Sequence, residues 1–452
     1  MNTDTRQKSY LCIDLKSFYA SVECTDRDLD PMTTDLVVAD ESRTDKTICL
    51  AVSPSLKAKG VRNRCRLFEL PSELRTQTII APPRMSRYVQ KSAEIYGVYL
   101  RWISADDIHV YSIDEAFMDV TPYLDLYGCT PRELGEKIRA DVTARTGIPA
   151  TCGLGTNLYL AKIALDITAK HASDFFGVLD EVSYRETLWN HRPLTDFWRV
   201  GPGTERRLAE LGIHTMGQLA LSPTEPIYRA FGIDAEILID HAWGIEPVTI
   251  ADIKGYRSQS HSISNGQVLA HDYAYDDALL IAKEMTDTLV LQLVEKGLVA
   301  HSVNLALAYS ATSEERAAAR AAAAQMGTND HGGYWRRTMT FDNGTASFVA
   351  PTNSRTTIQR ELVALFARVA NHERPVRRIN IAFGGVVADD AAGLQLDLFA
   401  DTEAEARERR RLEAVNAVRE KFGKNAMLRG MDLLPQATAR ERNEQIGGHR
   451  CG

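Results

Sequence analysis

Two short segments that carry carboxylates constrain the fold of this chain most. Residues Tyr10 to Leu15 are predicted to form a buried strand, and Asp14 stands near its end. A second strand-rich segment, His109 to Val120, carries Asp114 and Glu115. Folding could bring the three acids together, and three acids can hold two divalent metal ions. A metal pair about 3.5–4 Å apart is the usual arrangement for in-line displacement at phosphorus.

Each acid also has a simpler interpretation. Asp14 alone is typical of a strand-end aspartate that caps a helix near Ser17. The adjacent Asp114 and Glu115 argue against that interpretation, because neighbouring carboxylates among apolar residues are costly to bury without a cation or hydrogen bonds. Neighbours on a regular strand point to opposite faces, so both reach one metal cluster only where the strand twists or turns. Otherwise Glu115 lies outside the set of ligands.

Length and composition indicate a multidomain protein. The chain has 452 residues, which suggests roughly three or four domains. No charged and then apolar signal segment and no apolar run of ~18 residues is apparent, so we expect a cytoplasmic protein without membrane contact. The seven cysteines are scattered and predict neither a disulfide framework nor a zinc site.

Charge is distributed unevenly along the chain. The formal net charge is −7, but residues 54–101 contain ten Lys and Arg against three acids, a local net of +7. Such a run is most often a solvated face, and alone it favours nucleic-acid contact only weakly.

Strand and helix patterns alternate and predict an α/β core. A helix is expected after Ser53-Pro54, where serine caps it and proline takes the first position. A helix, the turn Gly201-Pro202-Gly203 and another helix are expected over residues 195–220. Backbone N–H groups at such a turn can bind phosphate, although an ordinary helical hairpin explains the pattern equally well. A second α/β unit follows, with an insertion over residues 311–333.

Further residues are candidates for holding a nucleotide. Lys57 is placed in the first turn of the helix after Ser53, and Lys162 in a helix predicted over residues 157–170. A triphosphate needs such cations, although a surface lysine is normally only solvated. Phe18 and Tyr19 are core aromatics in most proteins, but in a nucleotide site such a ring can lie under the sugar and exclude a 2′-hydroxyl.

Four motifs together resemble the Y-family (translesion) DNA polymerases, most closely the bacterial DNA polymerase V catalytic-subunit type in its Gram-positive, UV-damage-repair versions. In chain order they are Asp-Leu-Lys-Ser-Phe-Tyr-Ala-Ser-Val-Glu at 14–23, Ser-Ile-Asp-Glu-Ala-Phe at 112–117, Gly-Leu-Gly-Thr-Asn at 153–157 with Leu-Ala-Lys-Ile-Ala at 160–164, and Val-Gly-Pro-Gly at 200–203. The similarity covers essentially the whole chain.

The resemblance implies an α/β multidomain, right-hand polymerase. It implies a ferredoxin-like palm (1–17 and 83–171), small fingers (18–82), a helical thumb with a helix-hairpin-helix (172–244), a linker (245–256), an α/β little finger (257–388) and a flexible C-terminal tail (389–452). Its activity would be low-fidelity DNA synthesis past lesions, by two-metal transfer of a nucleotide from a dNTP to a primer 3′-hydroxyl.

The resemblance also implies residue roles. Asp14, Asp114 and Glu115 match catalytic and metal-binding acids, and the Leu15 carbonyl matches a further metal ligand. Tyr19 matches the steric gate, while Phe18, Lys57 and Lys162 match nucleotide-contacting positions. Gly201 and Gly203 would contact the DNA backbone. The metal would be two Mg²⁺ ions, with Mn²⁺ as an alternative because oxygen ligands suit both.

Two positions depart from the family pattern. Lys16 replaces an acid found in some members, which leaves the metal site intact. Pro54 replaces a phosphate-contacting tyrosine found in some members, which makes the triphosphate contacts less certain.

The segment Gln395-Leu396-Asp397-Leu398-Phe399 resembles a sliding-clamp-binding motif, with Gln395, Leu396, Leu398 and Phe399 as the contacting residues. Expected partners are primer–template DNA, dNTPs and the sliding clamp, and accessory SOS subunits remain open. Two alternatives stand beside the polymerase hypothesis: a metal-dependent nucleotidyl cyclase and a non-catalytic DNA-damage scaffold that recruits the clamp. The Gly201–Gly203 turn and the clamp-like segment argue against the cyclase.

Overall fold

The computed structural model describes residues 7–42, 45–257, 261–326, 340–389 and 402–452. The chain divides into two compact units. Unit 1 comprises Met1–Arg257 with Cys451–Gly452, and unit 2 comprises Ser258–Arg450. Each unit has hydrophobic cores of its own.

The central sheet of unit 1 has the strand order β5-β6-β1-β7-β8. Its strands are β1 (Tyr10–Leu15), β5 (Ile108–Val110), β6 (Glu115–Asp119), β7 (Ala150–Gly155) and β8 (Phe176–Leu179). The middle strand β1 pairs antiparallel with both β6 and β7, and its apolar residues are fully buried. The predicted buried strand at Tyr10 to Leu15 is therefore confirmed.

Alternate residues of β1 face two different cores. Leu11 and Ile13 point to the side covered by α4 (Met85–Tyr99) and α6 (Pro131–Thr146). Cys12 points to the other side, where Phe117 of β6 and Leu158 of α7 (Leu158–Ile163) pack with it. Asp14 follows Cys12 by two residues and therefore belongs to this second face.

A smaller sheet with the strand order β3-β2-β4 lies between β1 and α4 in the sequence. Its strands are β2 (Leu36–Val38), β3 (Ala51–Val52) and β4 (Ile79–Ala81), and its helices are α1 (Phe18–Thr25), α2 (Pro54–Ala58) and α3 (Ser72–Arg75). The predicted start of α2 is confirmed, because the Ser53 side chain accepts a hydrogen bond from the Leu56 N–H and Pro54 takes the first helical position.

The remaining helices of unit 1 follow the strands of the central sheet. They are α5 (Leu124–Tyr127), α8 (Glu181–Leu188), α9 (Pro202–Glu210), α10 (Met216–Leu221), α11 (Thr224–Phe231), α12 (Asp234–Trp243) and α13 (Ile250–Gly255). Helix α7 continues as a π-helical turn, Ala164–Thr168, and a 3₁₀ turn, Ala169–His171. The helix predicted over residues 157–170 is present, with this change of winding inside it.

The segment before the Gly201–Gly203 turn differs from the prediction. A helix was expected there, but the chain forms only a 3₁₀ turn, Leu194–Asp196. Phe197 is then anchored in the helical core, and Arg199 has a left-handed φ of 68°. A non-glycine residue in that conformation interrupts a helix. The helix after the turn, α9, forms as predicted.

Unit 2 is built on an antiparallel sheet with the order β11-β10-β12-β9. Its strands are β9 (Ser262–Tyr273), β10 (Leu298–Tyr309), β11 (Phe341–Thr352) and β12 (Val376–Gly384), with β13 (Val387–Ala388) paired to β10. Helices α14 (Tyr275–Glu295) and α16 (Arg355–Val369) pack on one face. Helix α15 (Ser313–Met326) lies between β10 and β11 in the sequence and overlaps the predicted insertion.

The described part of the C-terminal segment packs on unit 2. It contains α17 (Thr402–Phe422), a 3₁₀ turn (Gly430–Leu433), α18 (Ala439–Asn443) and the hairpin of β14 (Gln445–Ile446) and β15 (His449–Arg450). Leu412 is 3% exposed in the main core, and Arg429 pairs with the buried Asp287 of α14 at 2.5 Å. The expectation of a flexible tail is therefore wrong for residues 402–450, because the short apolar stripe of α17 is joined by buried polar contacts.

Among the described residues, no helix is both long and apolar enough to cross a membrane.

Candidate active site

The predicted acids meet at the ends of β1 and β6. Asp14 and Glu115 are direct partners in the antiparallel register, so their side chains project from the same face of the sheet. Asp114 comes one residue before β6, and its carbonyl accepts a hydrogen bond from the Leu15 N–H at 2.9 Å. Because Asp114 lies in a turn and Glu115 opens the strand, the alternation of a regular strand does not separate them.

Residues Tyr111–Glu115, hereafter the catalytic turn, are held by several hydrogen bonds. The N–H groups of Tyr111 and Ser112 both donate to the Glu115 carbonyl, at 2.9 and 3.1 Å. The Ser112 hydroxyl donates to the Asp114 carboxylate at 2.7 Å, and the Ser92 hydroxyl of α4 donates to the Ile113 carbonyl at 2.6 Å. The turn therefore holds Asp114 through its own backbone and through α4.

Asp14 has a raised pKa because it is buried beside the two other acids. Burial, together with the nearby charges of Asp114 and Glu115, raises the pKa of Asp14 from 3.8 to about 7. Lys170 and Lys162 oppose the rise only in part. Crowded carboxylates of this kind are stabilised by a bound cation, so the donor set fits divalent metal ions with oxygen ligands.

Glu115 is already paired with a cation from the protein. Lys162 donates to Oε1 of Glu115 at 2.7 Å and to Asp166 at 2.9 Å, and the Cys12 thiol donates to the same Oε1 at 3.1 Å. Burial alone would lower the pKa of Lys162, but the charges of Glu115 and Asp166 outweigh burial and raise it. Within the part of the chain that the structure describes, no group of three or more potential ligands is already arranged to hold a metal.

The candidate nucleotide-contacting residues surround this end of the sheet. Lys57 donates to the Ser17 hydroxyl at 2.9 Å, and Ser17 has a left-handed φ of 47° just before α1. Burial lowers the pKa of Lys57, partly opposed by Asp14. Lys16, one of the two departures, places its ammonium 3.4 Å from the centre of the Phe175 ring.

Phe18 and Tyr19 have different surroundings. Phe18 is 2% exposed and its side chain packs in the main core of unit 1, the ordinary role of an aromatic residue. Tyr19 is partly exposed and stacks on Tyr88 of α4, with ring centroids 4.5 Å apart and planes 15° from parallel. Burial and the charge of Asp114 raise the pKa of Tyr19, so its hydroxyl stays protonated.

Tyr88 and Glu23 support Tyr19, and the sequence analysis did not identify this role. The Tyr88 hydroxyl donates to the fully buried Glu23 carboxylate at 2.7 Å, and Arg84 makes two further bonds to it at 2.8 and 2.9 Å. Glu23 ends the first sequence motif, and a charged residue within such an apolar segment was the available signal. Its partners on α4 could not be read from the sequence.

Gly201 and Gly203 stand at the exposed start of α9. Neither has a positive φ, and a Cβ added at either would meet no atom within 4 Å. Gly201 precedes the helix without a side-chain cap, so the first N–H groups of α9 have no capping side chain. The packing of the described protein does not require glycine here, which is consistent with close approach by a ligand. Gln395, Leu396, Leu398 and Phe399 lie outside the described residues.

Two family models match the chain. The impB/mucB/samB family model matches residues 13–166, and the model of the impB/mucB/samB family C-terminal domain matches residues 260–398. Together they cover more than half of the sequence. The chain therefore belongs to the impB/mucB/samB family.

Curated relatives match over nearly the full length. UvrX of Bacillus subtilis (strain 168), named for UV-damage repair, is 30% identical over 98% of both chains. DNA polymerase IV 2 of the same organism is 28% identical over 98% of this chain and 99% of its own. DNA polymerase IV of Pelotomaculum thermopropionicum is 29% identical over 96% of this chain and 97% of its own.

A solved structure shares the fold. A Y-family DNA polymerase chimera of Dbh and Dpo4 superposes with a TM-score of 0.59 at 18% identity, covering 84% of this chain and 99% of its own. The expectations of mixed α/β architecture, of a Y-family translesion DNA polymerase of the Gram-positive, UV-damage-repair type and of DNA-directed DNA polymerase activity are confirmed.

The raised pKa of Asp14 predicts a pH-dependent metal affinity. Protons and divalent cations compete for this carboxylate, so the affinity for Mg²⁺ should weaken by up to about tenfold per unit as the pH falls below 7. Calorimetric titration of the metal at pH 6, 7 and 8 measures the effect. Asp106→Asn, at an exposed position, is the matched control and should behave like the wild type.

The same shift affects stability without metal. Because the pKa of Asp14 is higher in the folded than in the unfolded chain, ionisation costs stability. The cost is absent below about pH 4 and complete above about pH 7. Asp14→Asn should therefore melt a few degrees above the wild type at pH 8, with no difference near pH 4. Equal melting temperatures at pH 8 would contradict this electrostatic picture.

Proposed function

We propose that Asp14, Asp114 and Glu115 form the metal-binding centre of a polymerase that extends a primer past damaged template bases. The reaction transfers a nucleotide from a dNTP to the primer 3′-hydroxyl and releases pyrophosphate. The observation that carries the proposal is the register that places Asp14 opposite Glu115, with Asp114 in the adjoining turn.

The three carboxylates and the Leu15 carbonyl would hold two Mg²⁺ ions, with Mn²⁺ as an alternative. Such ions, when bound, activate the primer hydroxyl and neutralise the charge of the leaving pyrophosphate. Supporting the assignment, burial and the nearby charges of Asp114 and Glu115 together raise the pKa of Asp14, and bound cations would relieve that charge imbalance. Mg²⁺ and Mn²⁺ are hard cations, and a set of ligands made up of oxygen atoms suits them.

The lysines would bind the triphosphate. Lys162 is held between Glu115 and Asp166, so an incoming nucleotide would exchange one of these carboxylates for phosphate oxygens. If Lys162 left Glu115, Oε1 would keep, within the described part of the chain, only the hydrogen bond from the Cys12 thiol. Among the residues that the structure describes, the Lys57 ammonium donates only to the neutral Ser17 hydroxyl, so its charge is available to an anion.

DNA binding would use two surfaces, one in each unit. The exposed N–H groups at Gly201 and Gly203 would contact primer phosphates from the thumb, residues 172–244. In unit 2, the proposed little finger, the sheet face opposite α14 and α16 carries amide and hydroxyl groups on adjacent strands, among them Asn304, Thr345 and Asn380.

Gly266 supports this assignment in unit 2. A Cβ at Gly266 would lie 2.3 Å from the Asn380 amide oxygen, so glycine is needed to keep that amide in place on the sheet face. Phosphate contacts from both surfaces would make DNA binding weaken steeply with salt.

Low fidelity has a structural basis in the proposed fingers. Within residues 18–42 and 45–82, the longest helix described has eight residues. Short helices provide little surface that could close over a new base pair, so the geometry of the pair would be enforced weakly.

The palm would comprise residues 1–17 and 83–171, and we propose the cytoplasm as the compartment of the protein. A cyclase or a non-catalytic scaffold is not favoured by the relatives.

Asp114→Asn should lower the rate of primer extension at least about 10³-fold, because a negatively charged metal ligand is lost. The affinity for primer–template DNA, measured by fluorescence anisotropy over a range of salt concentrations, should stay within about twofold of wild type. Asp106→Asn is the matched control. A wild-type protein that extends no primer would remove the polymerase proposal, and an active Asp114→Asn variant would remove the site assignment.

Tyr19→Val should relax sugar selection. Removing the ring that stacks on Tyr88 opens room for a 2′-hydroxyl, so the ratio of ribonucleotide to deoxynucleotide incorporation should rise by about two orders of magnitude. Tyr123→Phe, on a tyrosine that bonds to Asp107 away from the site, is the control. An unchanged ratio in single-nucleotide assays would show that Tyr19 is not the gate.

The segment from Gln395 to Phe399 would recruit the sliding clamp, a proposal that rests on the sequence motif. Replacing Leu398 and Phe399 together by alanine should lower clamp affinity about 100-fold or more, because apolar anchors carry most of the energy of such contacts. Surface plasmon resonance on immobilised clamp measures the affinity. Extension without clamp should be unaffected, and equal clamp binding would discard the motif. Accessory SOS subunits are further candidate partners.

A further inference from the structure

A contact between two aromatic residues joins the catalytic turn to the helical part of unit 1. The Trp198 indole N–H donates to the Tyr111 hydroxyl at 3.0 Å. The two rings meet edge to face, with centroids 5.9 Å apart and an interplanar angle of 79°. Phe117 of β6 lies against both rings, at 5.8 Å from Tyr111 and 6.1 Å from Trp198.

Tyr111 is directly tied to the metal-binding acids. It is the first residue of the catalytic turn, and its N–H donates to the carbonyl of Glu115 at 2.9 Å. Tyr111 is 46% exposed and Trp198 is partly exposed, so the fold does not need the Tyr111 hydroxyl to satisfy a buried partner. A displacement of the Tyr111 side chain is transmitted through the Tyr111–Glu115 backbone hydrogen bond to the catalytic turn, which carries Asp114 and Glu115.

Trp198 is tied as directly to the proposed primer-binding turn. It precedes Gly201 by three residues, and its neighbours Phe197 and Val200 are 1% and 5% exposed in the helical core. Arg199 between them adopts a left-handed φ of 68° and places its guanidinium 4.9 Å from the Trp198 ring. The anchored neighbours leave little freedom between the indole and the glycines.

Trp198 also rests on a buried support. Its ring is stacked near His241, with centroids 6.1 Å apart, and His241 stacks on Tyr159 of α7 at 4.0 Å. His241 is 3% exposed and bonds to Glu246 at 3.0 Å. Since α7 also carries Lys162, the same helix supports the indole and supplies the partner of Glu115.

We propose that Tyr111 and Trp198 act as a pair of positioning residues that fixes the primer-binding turn at Gly201–Gly203 relative to Asp114 and Glu115. The pair thereby aligns the primer 3′-hydroxyl with the metal-binding acids. This inference rests on the proposed function of the Gly201–Gly203 turn. As positioning residues, the two side chains act through the turns that carry them. Their substitution should therefore lower the rate of nucleotide transfer within the bound complex and leave the binding of DNA and dNTP unchanged.

The test is a double-mutant cycle of Tyr111→Phe and Trp198→Phe. Tyr111→Phe removes one hydroxyl and keeps the ring, so this variant should keep the fold. It therefore tests the proposal even if Trp198→Phe destabilises the protein. Each variant should lower kcat for single-nucleotide incorporation about three- to tenfold, with KM for dNTP and the DNA affinity within about twofold of wild type. The double variant should be no slower than the slower single variant, because both remove the same bond.

Trp189→Phe is the matched control. Trp189 is also partly exposed, and its indole N–H donates to the Ala242 carbonyl at 2.9 Å, without contact to the catalytic turn. Its effect should multiply with that of Tyr111→Phe. Unchanged kcat in Tyr111→Phe, or multiplicative effects of Tyr111→Phe and Trp198→Phe, would overturn the proposal.

Failure of the underlying function gives a different result. If Gly203→Val leaves the DNA affinity unchanged, the primer-binding role of the turn is wrong and the proposed alignment is overturned with it. If Gly203→Val weakens DNA binding while Tyr111→Phe keeps the wild-type kcat, only the positioning pair is wrong. Gly97→Ala, at a position in α4 where a Cβ also meets nothing, controls for loss of glycine.

Discussion

The antiparallel pairing of β1 with β6 is the constraint on which the rest of the site depends. It places Asp14 opposite Glu115 and brings Asp114 alongside, and it does so by joining segments far apart in the sequence. The cost is the burial of Asp14 beside two other carboxylates, and both effects raise its pKa. The same face of the sheet continues into Cys12 and Phe117, which are covered by α7 and α13. The acids therefore lie at the end of this covered face of the sheet.

The surroundings of these acids balance charge and hold shape. Lys162 neutralises Glu115, while the Cys12 thiol, on the same face of the sheet, donates to the same carboxylate oxygen. On the opposite side, buried Glu23 gathers Arg84 and the Tyr88 hydroxyl, and Tyr88 supports the ring of Tyr19. A charged residue in the core is stable there because each of its oxygens is bonded. Fixed rings and fixed acids are what selection of a sugar and alignment of a primer require.

Unit 2 uses polar contacts differently. Its C-terminal helices are attached by a small apolar stripe around Leu412 and by two buried acids of α14, Asp287 and Glu284. Asp287 bonds to Arg355 and Arg429, and Glu284 accepts from Thr438. These bonds are directional, so they fix where the segment packs even though its apolar surface is narrow. The opposite face of the sheet is left to amides and hydroxyls, which suits contact with a hydrated polymer such as DNA.

The sequence by itself determined the buried strand at Tyr10–Leu15, the cap of α2, the helix α9 and which three acids could meet, because these depend on local patterns and on motif spacing. It did not predict that Lys162 pairs with Glu115, that Tyr88 and Glu23 support Tyr19, or that Trp198 reaches Tyr111. It also misjudged the segment before Gly201 and the tail beyond residue 402. Only the tertiary structure decided these points, since each depends on side chains from distant segments that meet after the sheet has formed. Local propensity carries no information about such partners.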